Sequence, residues 1–340
     1  GEFPLQERIT DIHNCEFFIG LGSGLSWLAW GLNKDVVLIS GFSNEKTEFY
    51  TPYRVINKDV CNSCWNEEEF DKSNWLWCPR HEGTEREFEC SKKISFEMVR
   101  EKIDAVRVNQ LYLREGWKGT FNEVYIRDTY QKHVSVEEGD YVVDLGCSMG
   151  VFYFKNKHKN IDYVGIEAAQ KNLGKFSSLL TSDDNLTLMN RIVIENETGI
   201  VKTGKNDFDD GKETEAEAMS FKEILKLRDK RIDFLKFDIE GAEVELLNND
   251  ETYELFVKNV SKFSGELHAV GGNAKYISTP KSKTSTSLKI LKKLKNDKRV
   301  DFRISSIDGT DITNRFWKGI ENERHAFYSE VIISGKISWK

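Results

Sequence analysis

Apolar and polar positions alternate along the chain in short buried-type runs, each closed by turn-forming residues and separated by segments of helical period. Tyr141-Val142-Val143 ends on Asp144 and enters a glycine-bracketed loop, Gly146-Cys147-Ser148-Met149-Gly150, before an aromatic stretch that can continue as a helix. Glycine at both ends lets the backbone turn tightly and approach a ligand where a Cβ would collide. Ile161–Ile166 is a second run, ending in Glu167, and Leu186–Ile194 a third, with Asn190 near its end. A fourth ends in Asp238, and a fifth, Phe263–Val270, carries Glu266 and His268 on alternate residues, hence on one face. Helices are expected at Val124–His133, Lys171–Leu180, Ser220–Leu227 and Ser287–Lys295, with Ser220 and Glu223 spaced as a capping box. The charged stretch Gly204–Glu217 is expected to be a surface loop or lid.

Runs of this kind alternating with helices predict an open α/β sheet whose ligands lie at the carboxyl ends of the strands. Asp144, Glu167 and Asp238 would all emerge there. An acid at the end of the second strand can accept from both hydroxyls of a ribose. Further strands near Phe302–Ile307 and Ala326–Ile333 would complete the sheet.

The stretch YVVDLGCSMG resembles the first strand and cofactor loop of class I S-adenosylmethionine (SAM) methyltransferases. LKFDIEGAEVELL, from Leu235 on, resembles the more specific motif of the FkbM methyltransferases, which act largely on hydroxyl groups of sugars and natural products; this resemblance covers residues 118–340. It implies a Rossmann-like sheet with a terminal antiparallel strand pair. It also implies SAM held by Asp144, Gly146, Cys147, Ser148, Gly150, Glu167, Asn190 (near adenine) and Asp238. A sugar hydroxyl is a poor nucleophile and needs a base beside it. His268 is the leading base, since its ordinary pKa lies near neutrality, and Asp238 the alternative. Asp238 and Glu266 could instead hold a Mg²⁺ that lowers the hydroxyl pKa.

The first hundred residues read differently. One strand–helix–strand unit, through Gly20-Leu21-Gly22-Ser23-Gly24, is too little for a complete nucleotide-binding domain. Four of the six cysteines follow as Cys61-x2-Cys64-x13-Cys78-x11-Cys90, a set able to close a tetrahedral site around one Zn²⁺ or iron. Four protein ligands leave no open position, so the role expected for that metal is structural. The glycine loop, TEFYTPYRV and the cysteine finger, in that order over residues 5–100, resemble the C-terminal end of the bacterial autotransporter heptosyltransferases, which are GT-B enzymes with an iron finger. The acceptor domain and most of the donor domain of that family have no counterpart here, so glycosyl transfer is not expected of this chain. A start at Gly-Glu-Phe with no initiator Met reads as a cloning scar or a cut from a longer protein, and the two resemblances together imply a bifunctional glycosyltransferase and methyltransferase as the parent.

Charge narrows the partners. Of the net −7, all falls within residues 1–105, with 12 lysines and arginines against 19 acids. The rest is neutral, a poor match for nucleic acid. The basic run Lys281–Arg299 reads as the solvated face of a helix whose Leu288, Ile290, Leu291 and Leu294 are buried. No apolar run is long enough to span a membrane, and a cytoplasmic protein is expected. The domains expected are a partial glycosyltransferase segment with a metal finger, 1–105, and a SAM-dependent O-methyltransferase, 106–340, acting on a sugar, nucleotide-sugar or glycosylated acceptor. Two alternatives stand beside this. The N-terminal part could be a docking or homo-oligomerisation module, or the methyltransferase could act on a non-sugar small molecule or RNA.

Overall fold

The computed structural model describes residues 4–69, 71, 73–74, 77–202, 214–268, 281–321 and 330–338. They fall into two compact units, Gly1–Gly116 and Trp117–Lys340. Residue 105, where a boundary was expected, lies within the helix Phe96–Arg114, which belongs to the first unit. Ser95 caps that helix by accepting from the Met98 amide, and its apolar stripe buries Val106, Val108, Leu111 and Tyr112.

The first unit holds a parallel sheet of β1 (Phe17–Leu21), β2 (Asp35–Ile39) and β3 (Arg54–Val55), in that spatial order. The helix Gly24–Gly31 connects the first two strands and packs Ala29 onto Val36, Leu38 and Phe49. Trp27 and Trp30, on the same helix, stay 43% and 47% exposed beside Phe49, so this face of the unit is apolar and open to solvent.

In the second unit the strands are β4 (Tyr141–Leu145), β5 (Asp162–Glu167), β6 (Leu186–Val193), β7 (Ile200–Lys202), β8 (Glu215–Met219), β9 (Ile232–Phe237), β10 (Val260–His268), β11 (Val300–Ser305) and β12 (Glu330–Ile337). They form one sheet in the order β11-β12-β10-β9-β4-β5-β6-β8-β7. The run from β10 to β8 is parallel; β12 inserts antiparallel between β10 and β11, and β7 returns antiparallel on β8. Period-two burial explains the packing on both faces. Tyr141, Val143 and Leu145 join the core built with Phe221, Leu246, Phe256, Leu291 and Phe316. Other strand residues meet a second set of rings: Phe234 packs on Phe152, and Tyr163 on Tyr153 and Phe176.

Three local expectations change. The helix expected at Val124–His133 is a broken series of turns: a short helix Lys118–Phe121, a π-turn Asn122–Ile126 and a 3₁₀ turn Thr129–Gln131, with Asp128 in the left-handed region. Buried Val124, Tyr125 and Tyr130 anchor these turns, so packing overrides the helical period there. Of the charged loop expected at Gly204–Glu217, the part up to 213 lies outside the described residues, and Glu215–Glu217 belongs to β8. The last strand runs to Ile337 rather than ending at Ile333; residues 326–329 of the expected span, and 269–270 of the fifth, lie outside the described residues. The capping box at Ser220 forms, and Ile290, Leu291 and Leu294 are buried on the helix Lys281–Asn296. Among the described residues no helix is long and apolar enough to cross a membrane.

Candidate functional site

β4 is buried at all five positions and delivers its chain into the glycine loop at the carboxyl edge of the sheet. Gly146 and Gly150 have φ of 77° and 84°, and Ser148 between them 49°. Gly146 also has no room for a side chain: a Cβ there would meet the Asp238 carbonyl oxygen. The loop is tied to β5 by Gly146 and Cys147 amides that donate to the Ile166 carbonyl, at 2.8 and 3.1 Å. The Cys147 thiol is buried over Gly165, where a side chain would collide with it, and burial pushes its pKa well up. Its side chain therefore contributes packing.

Asp144 was expected to touch the cofactor, but its carboxylate is fully buried beneath the loop. Oδ2 accepts from the Tyr163 hydroxyl at 2.6 Å, and Oδ1 stands 3.1 Å from Lys236 Nζ, its cross-strand neighbour on β9. Lys236 in turn donates to the Gly146 carbonyl at 2.8 Å. Burial opposes the lysine charge, yet Asp144 and Asp238 outweigh it and hold its pKa above the ordinary value. Lys236 is the missed member of the site: a charged residue inside the run IDFLKF demands a buried partner.

Glu167 closes β5. Its carboxylate accepts from the Ser148 amide at 3.0 Å and the Ala169 amide at 2.9 Å, and burial raises its pKa. The Ser148 hydroxyl beside it is buried with no hydrogen-bond partner among the described residues. An orphaned hydroxyl next to a strand-end carboxylate fits a polar ligand such as the ribose edge of a nucleotide. Asn190, paired with Glu167 across β5 and β6, turns its amide NH₂ onto the carbonyls of Glu167 and Ala168, at 3.1 and 2.6 Å. That hold braces the strand end and leaves the amide oxygen as its acceptor.

The acidic side of the site gathers at the ends of β9 and β10. Asp238 Oδ2 accepts from the buried Tyr130 hydroxyl at 3.0 Å. Glu240 takes φ 53° and Gly241 φ 99°, a turn that opens the helix Ala242–Asn248. From that helix Glu243, 1% exposed, accepts from both the backbone amide and Nδ1 of His268, at 3.0 and 2.7 Å. His268 Nε2 then faces Glu240 at 3.6 Å and Glu266 at 3.7 Å. Burial alone would discharge this ring; the Glu243 carboxylate, with Glu266 and Asp238, raises its pKa instead. Burial and neighbouring acids push Glu240 and Glu123 up to about 7 and Glu266 well above the carboxylate range. Glu123, Tyr130, Glu243 and Glu330 were not anticipated: the turns after residue 121 carry the first two, the helix Ala242–Asn248 the third, and the pairing of β12 with β10 the last.

Of the cysteines, Cys61 and Cys64 have sulfurs 3.9 Å apart, Cys61 also faces Arg80 Nη1 at 3.7 Å, and Cys78 accepts from the Phe88 amide at 3.4 Å. All four are free thiols, and burial with the Cys61 contact pushes Cys64 up to about 12.

Residues 151–260 match the family model described as the methyltransferase FkbM domain, a match that begins directly after the glycine loop. The chain is also similar to the autotransporter heptosyltransferase BAHTCr of Citrobacter rodentium, 48% identical over 130 residues, which make 36% of this chain and 31% of that protein. The heptosyltransferase Aah of Escherichia coli is 52% identical over 101 residues, 29% of this chain and 26% of that one. This chain thus spans about a third or less of the length of these relatives. Among solved structures, the iron-containing dodecameric heptosyltransferase TibC with ADP-D-beta-D-heptose matches at 49% identity, covering 32% of this chain and 29% of its own, with a TM-score of 0.31. An O-methyltransferase of Bacillus cereus in complex with SAH matches at 10% identity over 69% of this chain and 91% of its own, with a TM-score of 0.37.

Proposed function

We propose that this chain, with its FkbM methyltransferase domain at residues 151–260, is a SAM-dependent O-methyltransferase acting on a sugar or glycan hydroxyl. The observation that carries the reading is the glycine loop braced from below by Lys236 and joined to Glu167 through Ser148, with a carboxylate-rich cluster at the neighbouring strand ends. Glu167 and the Ser148 hydroxyl would hold the ribose side of the cofactor, and the loop backbone would lie along it. When bound, the cofactor supplies an electrophilic methyl on a sulfonium that leaves as a neutral thioether. Asp238, beside Tyr130, would take the proton of the acceptor hydroxyl as its oxygen forms the new bond to carbon. Glu243 orients His268, and the surrounding carboxylates favour its protonated form in the free protein; we therefore give the base role to Asp238.

The sugar substrate rests on association: the N-terminal segment is similar to enzymes named heptosyltransferases. By the same association, iron at Cys61, Cys64, Cys78 and Cys90 is part of the reading, since a relative is described as iron-containing. So is a reducing, cytoplasmic setting for six free cysteines. The neutral charge of the C-terminal part disfavours RNA as acceptor. Titration calorimetry with SAM, followed by a labelled-methyl screen over nucleotide sugars, glycans, glycosylated protein and RNA, tests the whole proposal. Failure to bind SAM ends it; methylation of RNA alone replaces the substrate.

A second reading makes the N-terminal unit a homo-oligomerisation module. The half-exposed Trp27 and Trp30 favour it, as does the dodecameric state described for TibC. Dissociation of an oligomer in Trp27→Ser with Trp30→Ser, with SAM binding intact, would support it.

A further inference from the structure

The antiparallel pairing of β10 with β12 sets His268 directly opposite Glu330 and Glu266 opposite Ile332. Glu266 and His268 are two residues apart on β10, so they share a face, and cross-strand pairing brings Glu330 onto it. One ligand atom from each of the three, two carboxylate oxygens and an imidazole nitrogen, lies within 4.8 Å of the others.

From this the geometry points to a divalent cation site of the Mn²⁺ or Mg²⁺ class, ligated by Glu266, His268 Nε2 and Glu330. Two observations besides the cluster favour a cation. Glu266 is nine-tenths buried, and no hydrogen-bond donor among the described residues reaches its carboxylate; the nearest cationic atom is His268 Nε2, at 3.7 Å. In its ionised form a carboxylate so far from donors gains from a cation placed beside it. The second is the far side of the histidine. Nδ1 is held by the buried Glu243 at 2.7 Å, which fixes the ring and aims Nε2 into the cluster, as carboxylates behind metal-binding histidines do. Asp238 and Glu240 face the same space, Glu240 3.6 Å from Nε2, and add to its negative potential. Mostly oxygen ligands with one nitrogen suit Mn²⁺ or Mg²⁺ better than a thiophilic ion. Three protein ligands leave positions open, so the cation's charge would favour the ionised form of an acceptor hydroxyl beside it.

The catalytic part of this inference rests on the methyltransferase reading; the cation site itself does not. The test is therefore a Mn²⁺ titration of the full chain, with free Mn²⁺ read by electron paramagnetic resonance, and SAM affinity measured separately by calorimetry in EDTA. The wild type is expected to bind Mn²⁺ at one competable site, released by excess Mg²⁺. Glu266→Gln and Glu330→Gln should each weaken it at least tenfold while SAM affinity stays within twofold, and Glu254→Gln, on a distant surface, should change nothing. Mn²⁺ binding that is absent, or equal in wild type and both variants, overturns the site. If Glu266→Gln does not fold, Glu330→Gln decides alone. Loss of SAM binding in the wild type would sink the methyltransferase reading and leave the cation result standing.

Discussion

Lys236 Nζ lies 3.1 Å from Asp144 Oδ1 and 2.8 Å from the Gly146 carbonyl, so one buried ammonium joins a strand carboxylate to the loop above it. Removing one member of a buried pair strands the other, a loss of about 3–5 kcal/mol. Lys236→Met should therefore lower the stability of the C-terminal unit by about that much in urea denaturation, and release the loop. Adding Asp144→Asn removes the stranded charge, so the double variant should regain part of the stability but not the SAM affinity. A single Lys236→Met variant as stable as the wild type would show that the pair does not brace the loop.

Glu167 offers a sharper reading of the cofactor side. Glu167→Gln keeps the size of the side chain but cannot accept at both ends, so it must give up either the Ser148 or the Ala169 amide. SAM affinity by calorimetry should fall at least tenfold, about 1.4 kcal/mol, with little change in melting temperature. Equal affinity would remove Glu167 from the site.

Two glycines in the same unit should respond with opposite sign. Gly146 has φ 77° and its Cβ would strike the Asp238 carbonyl oxygen, so Gly146→Ala should cost more than about 2 kcal/mol and abolish SAM binding. Gly174 sits in the helix Gln170–Leu179 with nothing within 4 Å of an added Cβ, and Gly174→Ala should stabilise by about 0.5–1 kcal/mol. Thermal melts of the two variants against the wild type check both.

Asp297 gives a pH dependence with a definite sign. Hydrogen bonds from the Arg299 side chain, then the Arg299 amide and Tyr253, hold its pKa at about 2, below the ordinary value of about 4. A lowered folded-state pKa contributes stability above the unfolded pKa and loses it as pH falls from about 4 through 2. Arg299 is partly exposed, so the contribution is about 1 kcal/mol at most. Asp297→Asn should melt below the wild type at pH 7, and the difference should close near pH 2. A gap that persists at pH 2 would mean that the lost contacts are not ionic.

Residues whose neighbours are near in sequence were legible before the fold was known. The glycine loop, Glu167 at its strand end and the Ser220 cap follow from local rules of turn and strand. What escaped depends on which strands lie side by side. Asp144 reads as a rim residue in sequence, but its place between β9 and β5 buries it against Lys236 and Tyr163. Glu330 becomes a neighbour of His268 only because β12 inserts between β10 and β11. Tyr125 and Tyr130 sit in a stretch of helical period, and burial of their rings against the unit breaks that period into turns.

The proposed metal at the four cysteines can be tested apart from the proposed methyltransferase by metal content. Cys61 and Cys64 already lie with their sulfurs 3.9 Å apart, and Arg80 faces Cys61 at 3.7 Å. Burial pushes the Cys64 and Cys90 thiols toward their protonated form, and thiols become favourable ligands only as thiolates, so metal binding must release protons and weaken at low pH. Protein purified without oxygen should carry one iron per chain, and Cys61→Ser with Cys64→Ser should lose it. Because the four cysteines belong to the first compact unit, the same variant should bind SAM with unchanged affinity. Loss of iron together with SAM binding would mean that the two units fold as one. Less than one ion per chain in the wild type would remove the metal from the finger, and zinc in place of iron would keep the site but change its occupant.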